Sequence, residues 1–352
     1  MANFYKSEVV TVMREQALVP VFYNPDKETV LGIIAACVAG GSRLVEFTNR
    51  GEGAADLFGE VIKVCRKKYP SLIVGVGSVR DEITAGIYIG KGADFVVGPT
   101  FNPKIADICN RLAVPYSPGC GSATEINNAE ACGSEIIKVF PGGQVGGPGF
   151  FKAIHGPAAR TQMMPTGGVD ITAQSIHDWL TTGQATALGI GSKLVSKDLV
   201  AKKDFAGIEA NVRKALTTIR AVRARLLAQQ GVIFLGVGCV GVPADDDTAS
   251  AKLLQELPGF GVTQGMPACC ISGRSGAELR VGQPAQLAIE VTDLDKALEV
   301  LQKMGIEADG ELDLCCEESL KCVALAEGAF GLKMPVRLYC THSDELEKLL
   351  SK

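Results

Sequence analysis

The chain has 352 residues, more than one hydrophobic core usually serves, so a large domain and a smaller one are expected. Its 35 basic and 39 acidic residues give a net charge of −4, which excludes nucleic-acid binding through a bulk basic surface. Apolar runs are cut by Gly or charge well short of the about 20 residues of a membrane span, and the N-terminus holds no apolar core of signal-peptide length, so a soluble, cytoplasmic protein is expected.

The 12 cysteines form no disulfide framework by pattern. Cys37 sits in an apolar run like a small buried hydrophobe of a reducing compartment, and Cys269-Cys270 and Cys315-Cys316 are adjacent pairs, not the spacing of a zinc site. His155, His177 and His342 have no partner at metal-ligand spacing. No metal and no cofactor is expected.

In chain order, short apolar runs alternate with amphipathic segments. Residues 18–23 read as a strand, and a helix over 27–38 is closed by Ala39-Gly40-Gly41. Strand 43–48 precedes a helix over 54–68 that ends near Pro70. Strand 72–78 precedes a helix starting near Asp81 and stopping at Gly90 or Gly92. Strand 94–99 leads to a helix over 103–112, and strand 114–120 to one over 122–131. Residues 136–141 form the sixth strand, 162–168 the seventh with a helix near 173–180, and 185–192 the eighth. Eight such units predict a (β/α)8 TIM barrel, although an open doubly wound sheet alternates in the same way. Two features favour the barrel: no Gly-x-Gly-x-x-Gly turn follows the first strand, and Glu46, Thr48, Ser78, Lys138, Thr166 and Ser192 all fall at C-terminal strand ends, which converge on one mouth.

The sixth strand carries the oddity. Ile136-Ile137-Lys138-Val139-Phe140-Pro141 is a buried strand with a lysine in it. Such a lysine either snorkels to water or loses its proton to desolvation, and a neutral amine attacks carbonyl groups. Glu46 either pairs with Arg50 or shuttles protons beside Lys138. Arg50 at the same mouth suits a bidentate grip on a carboxylate. Pro165-Thr166-Gly167-Gly168 and Gly189-Ile190-Gly191-Ser192 lie after strands seven and eight, where barrels bind phosphate; tight turns would read the same way. Residues 142–149, rich in glycine, read as a mobile lid, a backbone contact to substrate or a plain flexible loop.

Val45-Glu46-Phe47-Thr48-Asn49-Arg50, Val74-Gly75-Val76-Gly77-Ser78-Val79, Ile137-Lys138-Val139-Phe140-Pro141, Pro165-Thr166-Gly167-Gly168 and Gly191-Ser192 together resemble the 2-keto-3-deoxy-6-phosphogluconate (KDPG) / 4-hydroxy-2-oxoglutarate aldolase family over about residues 1–220. The resemblance implies a metal-free class I aldolase of the Entner-Doudoroff pathway, usually a trimer, acting on a phosphorylated 2-keto-3-deoxy sugar acid and pyruvate. It implies that Lys138 forms the Schiff base and Glu46 is the general acid/base. Arg50 and Ser78, where the family usually has threonine, would bind the pyruvyl carboxylate. Pro99 and Phe140 would line the pocket, Thr166 would be a further substrate-binding residue, and Gly167, Gly168, Gly191 and Ser192 would hold the phosphate. The loop after Pro141 departs from the family pattern. The galactonate epimer as substrate, and a phosphosugar-binding barrel (isomerase or sensor) without Schiff-base chemistry, are the alternatives.

A helix over 201–228, with Arg213, Lys214, Arg220, Arg223 and Arg225 on a solvated face, ends the barrel, so the expected domains are 1–225 and 226–352. Beyond it, strands at 232–242, 262–264, 268–272 and 277–281 surround a helix at 247–257. Strand 286–291, helix 294–304 and strands at 306–309, 321–326 and 332–339 repeat that order before a last helix over 344–350. This duplicated β-α-β-β-β order, with residues 286–298, resembles the vicinal-oxygen-chelate (glyoxalase-like) superfamily. The superfamily's histidine ligands are missing between 231 and 341, so a metal-free relative is expected.

Overall fold

A computed structural model describes residues 2–242, 260–262, 270–273, 278–281, 286–309, 313–314, 320–326, 329, 336–341 and 343–351. Packing divides the chain into two units, Met1–Leu216 and Thr217–Lys352.

The first unit is a TIM-like α/β barrel. Strands β1 (Leu18–Phe22), β2 (Leu44–Thr48), β3 (Ile73–Gly77), β4 (Val96–Val97), β5 (Tyr116–Ser117), β6 (Gly119–Cys120), β7 (Ile137–Val139), β8 (Met163–Pro165) and β9 (Leu188–Ile190) run parallel in the orders β5-β4-β3-β2-β1-β9 and β6-β7-β8. β5 and β6 are one strand interrupted at Pro118, which has no N–H for the ladder. A bridge between Thr166 and Gly189 links β8 to β9, with a bond of 2.9 Å from Thr186 N–H to the Met163 carbonyl. The eight predicted strands are present, most of them shorter than the apolar runs that announce them.

Successive side chains on a strand point to opposite faces, so the barrel interior can be read off by twos. Val19, Leu44, Ile73, Phe95, Ile136, Met164 and Ala187 share one buried core. Two residues further along, the inward positions are Val21, Glu46, Gly75, Val97, Lys138, Thr166 and Gly189. Phe47 faces outward and packs edge-on to tilted against Phe22, Tyr23 and Phe58, and Phe58 in turn meets Tyr88. Gly75 is small because the Phe95 ring fills its space: a Cβ there would lie 2.3 Å from that ring.

The helices start where capping side chains permit. Asp26 accepts from Thr29 N–H to open α2 (Lys27–Ala39); α3 (Ala54–Lys68) follows β2; Asp81 does the same for α4 (Glu82–Lys91), which Gly92 ends in left-handed conformation (φ +109°). Asn102, Ser122, Thr172 and Ser196 cap α5 (Pro103–Arg111), α6 (Ala123–Ala131), α8 (Ala173–Thr181) and α9 (Lys197–Ala201).

Three features were not foreseen. Helix α1 (Lys6–Gln16) precedes β1, and its Val9, Val10, Val12 and Met13 enter the barrel core from the N-terminal ends of the strands. Helix α7 (Gly147–His155) begins inside the glycine-rich segment, whose Gly142 and Gly143 N–H groups donate to the Thr166 and Gly167 carbonyls at 2.9 Å. The helix expected over 201–228 is broken at residues 202–204, where Lys203 has φ +52°, and resumes as α10 (Phe205–Gln229). Its face is not simply solvated: Ile219, Ala221, Val222 and Ala224 are buried, and desolvation pushes the Arg223 guanidinium pKa down.

In the second unit, β10 (Phe234–Val242), β11 (Phe260–Val262), β12 (Cys270–Gly273), β13 (Glu278–Val281), β14 (Gln286–Val291), β15 (Asp313–Leu314), β16 (Leu320–Ala324) and β17 (Val336–Thr341) form a sheet of order β11-β12-β13-β10-β14-β17-β16-β15. Helices α11 (Leu294–Lys303) and α12 (Asp344–Leu350) follow β14 and β17. Val291, Leu294, Ala297, Leu301, Val323, Leu325, Val336 and Leu338 build its core. The helix expected over 247–257 lies outside the described residues, as do residues 263–269 and 331–335, which take in parts of the strands expected at 262–264, 268–272 and 332–339.

Candidate active site

The mouth of the barrel is built by strand ends. Glu46 is the third residue of β2 and fully buried, and Lys138 is the middle residue of β7 and 6% exposed. Both point inward by strand alternation. Neither carboxyl oxygen of Glu46 has a hydrogen-bond partner among the described residues. Burial pushes the Glu46 carboxyl pKa up, opposed by the nearby charges of Lys138 and then Arg50. Burial pushes the Lys138 ammonium down; Glu46 holds it up in part, and Arg50 pushes it further down. The result is a carboxyl group held toward its acid form beside an amine held toward its free base, with an arginine in the same field.

Room for that carboxyl group comes from the neighbouring strand. Gly77 ends β3, and a Cβ there would stand 1.8 Å from Glu46 Oε1. Ser78 follows with φ +62°, the left-handed region that a non-glycine residue rarely occupies, which marks a turn fixed by its surroundings. Asn49 is held from two sides: its N–H donates to the Gly77 carbonyl at 2.8 Å, and its Oδ1 accepts from Tyr88 Oη at 2.8 Å. These bonds fix the backbone that delivers Arg50 to the mouth.

A cavity of about 450 Å³ opens there, walled by Val21, Phe22, Tyr23, Thr48, Arg50, Phe140, Thr166, Gly167, Gly168, Val169, Asp170, Gly189, Gly191, Ser192 and Lys193. Arg50, Phe140, Thr166, Gly167, Gly168, Gly191 and Ser192 are thus brought together as the sequence leads one to expect. Glu46 and Lys138 are joined to the wall through Arg50, whose charge both feel, and through Phe140, whose ring centroid lies 5.0 Å from Lys138 Nζ. Ser78 and Pro99 are not on this wall. They end the next two strands, and the Pro99 carbonyl carbon and oxygen press against Gly119, where a Cβ would be 2.2 Å from that oxygen.

Gly167 and Gly168 take φ +84° and +81°, so both residues of the turn need glycine. A Cβ on Gly168 would also meet Gly143 Cα at 2.7 Å, so the turn after β8 and the loop after β7 touch backbone to backbone. Gly189 is kept small by Thr166, whose Oγ1 would lie 2.3 Å from a Cβ there; that hydroxyl is buried without a partner among the described residues.

Tyr23, Asp170 and Lys193 are wall residues that the sequence reading missed. The signal was present: Tyr23 follows β1, and Lys193 follows Gly191-Ser192 directly. Among the described residues, no three side chains of His, Cys, Asp or Glu gather as a metal site, and no helix is long and apolar enough to cross a membrane.

Comparison with known proteins fits this geometry. The 2-dehydro-3-deoxy-phosphogluconate aldolase of Haemophilus influenzae is 31% identical over 218 residues, 62% of this chain and 100% of that protein. The KHG/KDPG aldolase of Escherichia coli K12 is 28% identical over 60% of this chain and 96% of its own. The KDPG aldolase of Zymomonas mobilis ZM4, solved with 3-phosphoglycerate, superimposes with a TM-score of 0.52 at 25% identity, covering 60% of this chain and 95% of that one. The fold is shared with the Legionella pneumophila KDPG aldolase, solved with pyruvate as a covalent carbinolamine (TM-score 0.54, 22% identity, 58% and 97% covered). Residues 9–211 match the family model for KDPG and KHG aldolases, and the chain belongs to that family.

Proposed function

We propose that this chain is a class I aldolase that cleaves 2-keto-3-deoxy-6-phosphogluconate to pyruvate and glyceraldehyde 3-phosphate. The observation that carries the reading is the buried Glu46–Lys138 pair at the barrel mouth, with the amine pushed toward its neutral form and the carboxyl toward its acid form.

In this reading the Lys138 amine attacks the C2 carbonyl, and the Glu46 carboxyl group gives its proton to the departing hydroxyl, so that the carbinolamine loses water to become a protonated imine and Glu46 is left as the carboxylate. Arg50 grips the C1 carboxylate and Phe140 shapes the pocket. Glu46, in its carboxylate form, takes the proton of the C4 hydroxyl; the C3–C4 bond breaks, its electron pair flows into the imine to form the enamine, and glyceraldehyde 3-phosphate leaves. The same carboxyl group returns the proton to C3, and water hydrolyses the imine to free pyruvate and Lys138. Gly167, Gly168, Gly191 and Ser192 hold the phosphate through backbone N–H groups and the Ser192 hydroxyl. The Zymomonas relative, solved with a phosphorylated carboxylate, supports a seat of this chemistry.

Borohydride reduction in the presence of pyruvate tests the mechanism. A mass increase located on Lys138 is expected; its absence returns the site to a phosphosugar-binding barrel without Schiff-base chemistry. Cleavage of 4-hydroxy-2-oxoglutarate to pyruvate and glyoxylate is a second expected reaction, as the E. coli relative's KHG/KDPG name suggests. A coupled assay across both phosphorylated epimers and the oxoglutarate ranks the substrates.

We infer further that the enzyme is a cytoplasmic homotrimer and that residues 226–352 form a separate, duplicated glyoxalase-like domain. Strand order supports the duplication: from the β10–β14 pair outward it runs β13, β12, β11 on one side and β17, β16, β15 on the other, with β10 parallel to β13 and β14 parallel to β17. Deleting residues after 228 and measuring turnover and mass in solution tests both inferences; unchanged kinetics and an unchanged subunit number assign the domain no part in catalysis or assembly.

A further inference from the structure

Two turns form the far wall of the cavity, Gly167-Gly168-Val169-Asp170 after β8 and Gly191-Ser192-Lys193 after β9. One ion pair ties them together: Lys193 Nζ lies 2.7 Å from Asp170 Oδ2. Asp170 is itself held in place. Its N–H donates to Ser175 Oγ at 3.0 Å, and the Lys193 contact, followed by the Ile171 and Thr172 N–H groups, keeps its carboxyl pKa below the usual carboxylate range. Lys193 is therefore stationed beside the glycine turns instead of sweeping solvent.

The charges on the wall explain why that matters. The charged residues lining the cavity are Arg50, Asp170 and Lys193. The substrate proposed above carries a carboxylate at one end and a phosphate dianion at the other. Arg50 belongs to the strand end beside Glu46 and Lys138, where the carboxylate is read. The glycine turns offer the phosphate N–H dipoles and the Ser192 hydroxyl, but a full positive charge at that end comes from Lys193 alone among the lining residues. The Asp170 charge is partly answered by its own backbone contacts, so the ammonium has a spare valence toward an arriving anion: it has three donors, and one is used by Asp170.

We propose that Lys193 is the cationic partner of the distal phosphate, stationed by Asp170, and that it sets the preference for phosphorylated over unphosphorylated 2-keto acids. This rests on the aldolase reading. Lys193 is more than half exposed, so its pull is screened by water and salt and its effect is moderate.

The test compares kcat/KM for the phosphorylated six-carbon substrate with that for the same 2-keto acid lacking phosphate. Lys193→Met is expected to lower the ratio about ten-fold, Lys193→Arg to restore most of it, and 0.5 M salt to narrow the wild-type ratio toward that of Lys193→Met, about one Debye length being 4–5 Å there. Inhibition by inorganic phosphate weakens in parallel in Lys193→Met. A ratio within two-fold of wild type, or a loss that Lys193→Arg fails to restore, overturns the assignment. Borohydride trapping of pyruvate separates the two levels: no adduct in the wild type overturns the aldolase reading itself, whereas normal trapping with an unmoved ratio overturns the Lys193 role alone.

Discussion

Gly77 vacates the space that the Glu46 carboxyl group occupies: any Cβ at position 77 would stand 1.8 Å from Oε1. A backbone position on β3 thereby sets where the Glu46 carboxyl group on β2 can lie. Gly77→Ala is expected to push the carboxyl group off its position and lower kcat by about 10²-fold, since small misplacements of reacting groups cost that much. The variant should still fold, as circular dichroism would show. Wild-type turnover in Gly77→Ala would mean that Glu46 has other room to act from.

The pH behaviour of Lys138 follows from its neighbours. Glu46 holds the ammonium pKa up against burial, so Glu46→Gln is expected to lower it further. The acid limb of Lys138 acylation by a small anhydride, followed by mass spectrometry, should shift to lower pH. Aldol cleavage should fall by about 10²–10⁴-fold, the usual contribution of a general acid/base. A shift to higher pH would contradict the proposed field.

The same pair is costly to the fold. The Glu46 pKa is raised above its ordinary 4.5, so the stability it withholds is withheld increasingly as pH rises from 4.5 through the folded value. The Lys138 pKa is lowered below its ordinary 10.5, so stability is regained as pH rises from the folded value to 10.5. Between pH 4.5 and 10.5 the Glu46 cost grows and the Lys138 cost declines as pH rises. The double variant Glu46→Gln, Lys138→Met is expected to be inactive yet at least as stable as wild type, by up to about 4 kcal/mol, with the Glu46 share of the gain lost as pH falls toward 4.5 and the Lys138 share lost as pH rises toward 10.5. Urea titrations across that range measure it.

Asp94 is the opposite case, a buried charge that supports structure. It is fully buried, accepts from Asn3 N–H at 2.7 Å and Val74 N–H at 3.0 Å, and pairs with Arg66 at 3.2 Å. It lies at the N-terminal side of the barrel, the face that serves stability rather than chemistry. Asp94→Ala is expected to cost about 3–5 kcal/mol of folding free energy by orphaning these groups. The folded fraction should keep its kcat, and a strong loss of kcat at low temperature would refute that division.

The sequence announces the chemistry better than its setting. Lys138, Glu46 and Arg50 are legible because a charge inside an apolar strand contradicts its surroundings. The glycine turns are legible because two of them sit at the strands where barrels take anions. Lys193 is legible only as the neighbour of Gly191-Ser192, and its pairing with Asp170 escapes because an ion pair between two loops has no local signature. Helix α1 escapes for a different reason. Val9, Val10, Val12 and Met13 have helical spacing, but the (β/α) alternation begins one element later and gives no cue to look upstream. The break at Pro118 and the left-handed Ser78 are consequences of curvature and turn geometry that periodicity does not encode.

Helix α1 also gives the site its floor. Val9, Val10, Val12 and Met13 pack among the first inward side chains of the strands, so the layer that holds Glu46 and Lys138 has packed core beneath it and the cavity above it. In the proposed reaction the ketoacid part stays bonded to Lys138 as the enamine when the C3–C4 bond breaks, so the aldehyde departs before pyruvate, and in the reverse direction pyruvate is seated first. The helix that closes the far end of the barrel thus keeps water away from that bond on one side without touching either product.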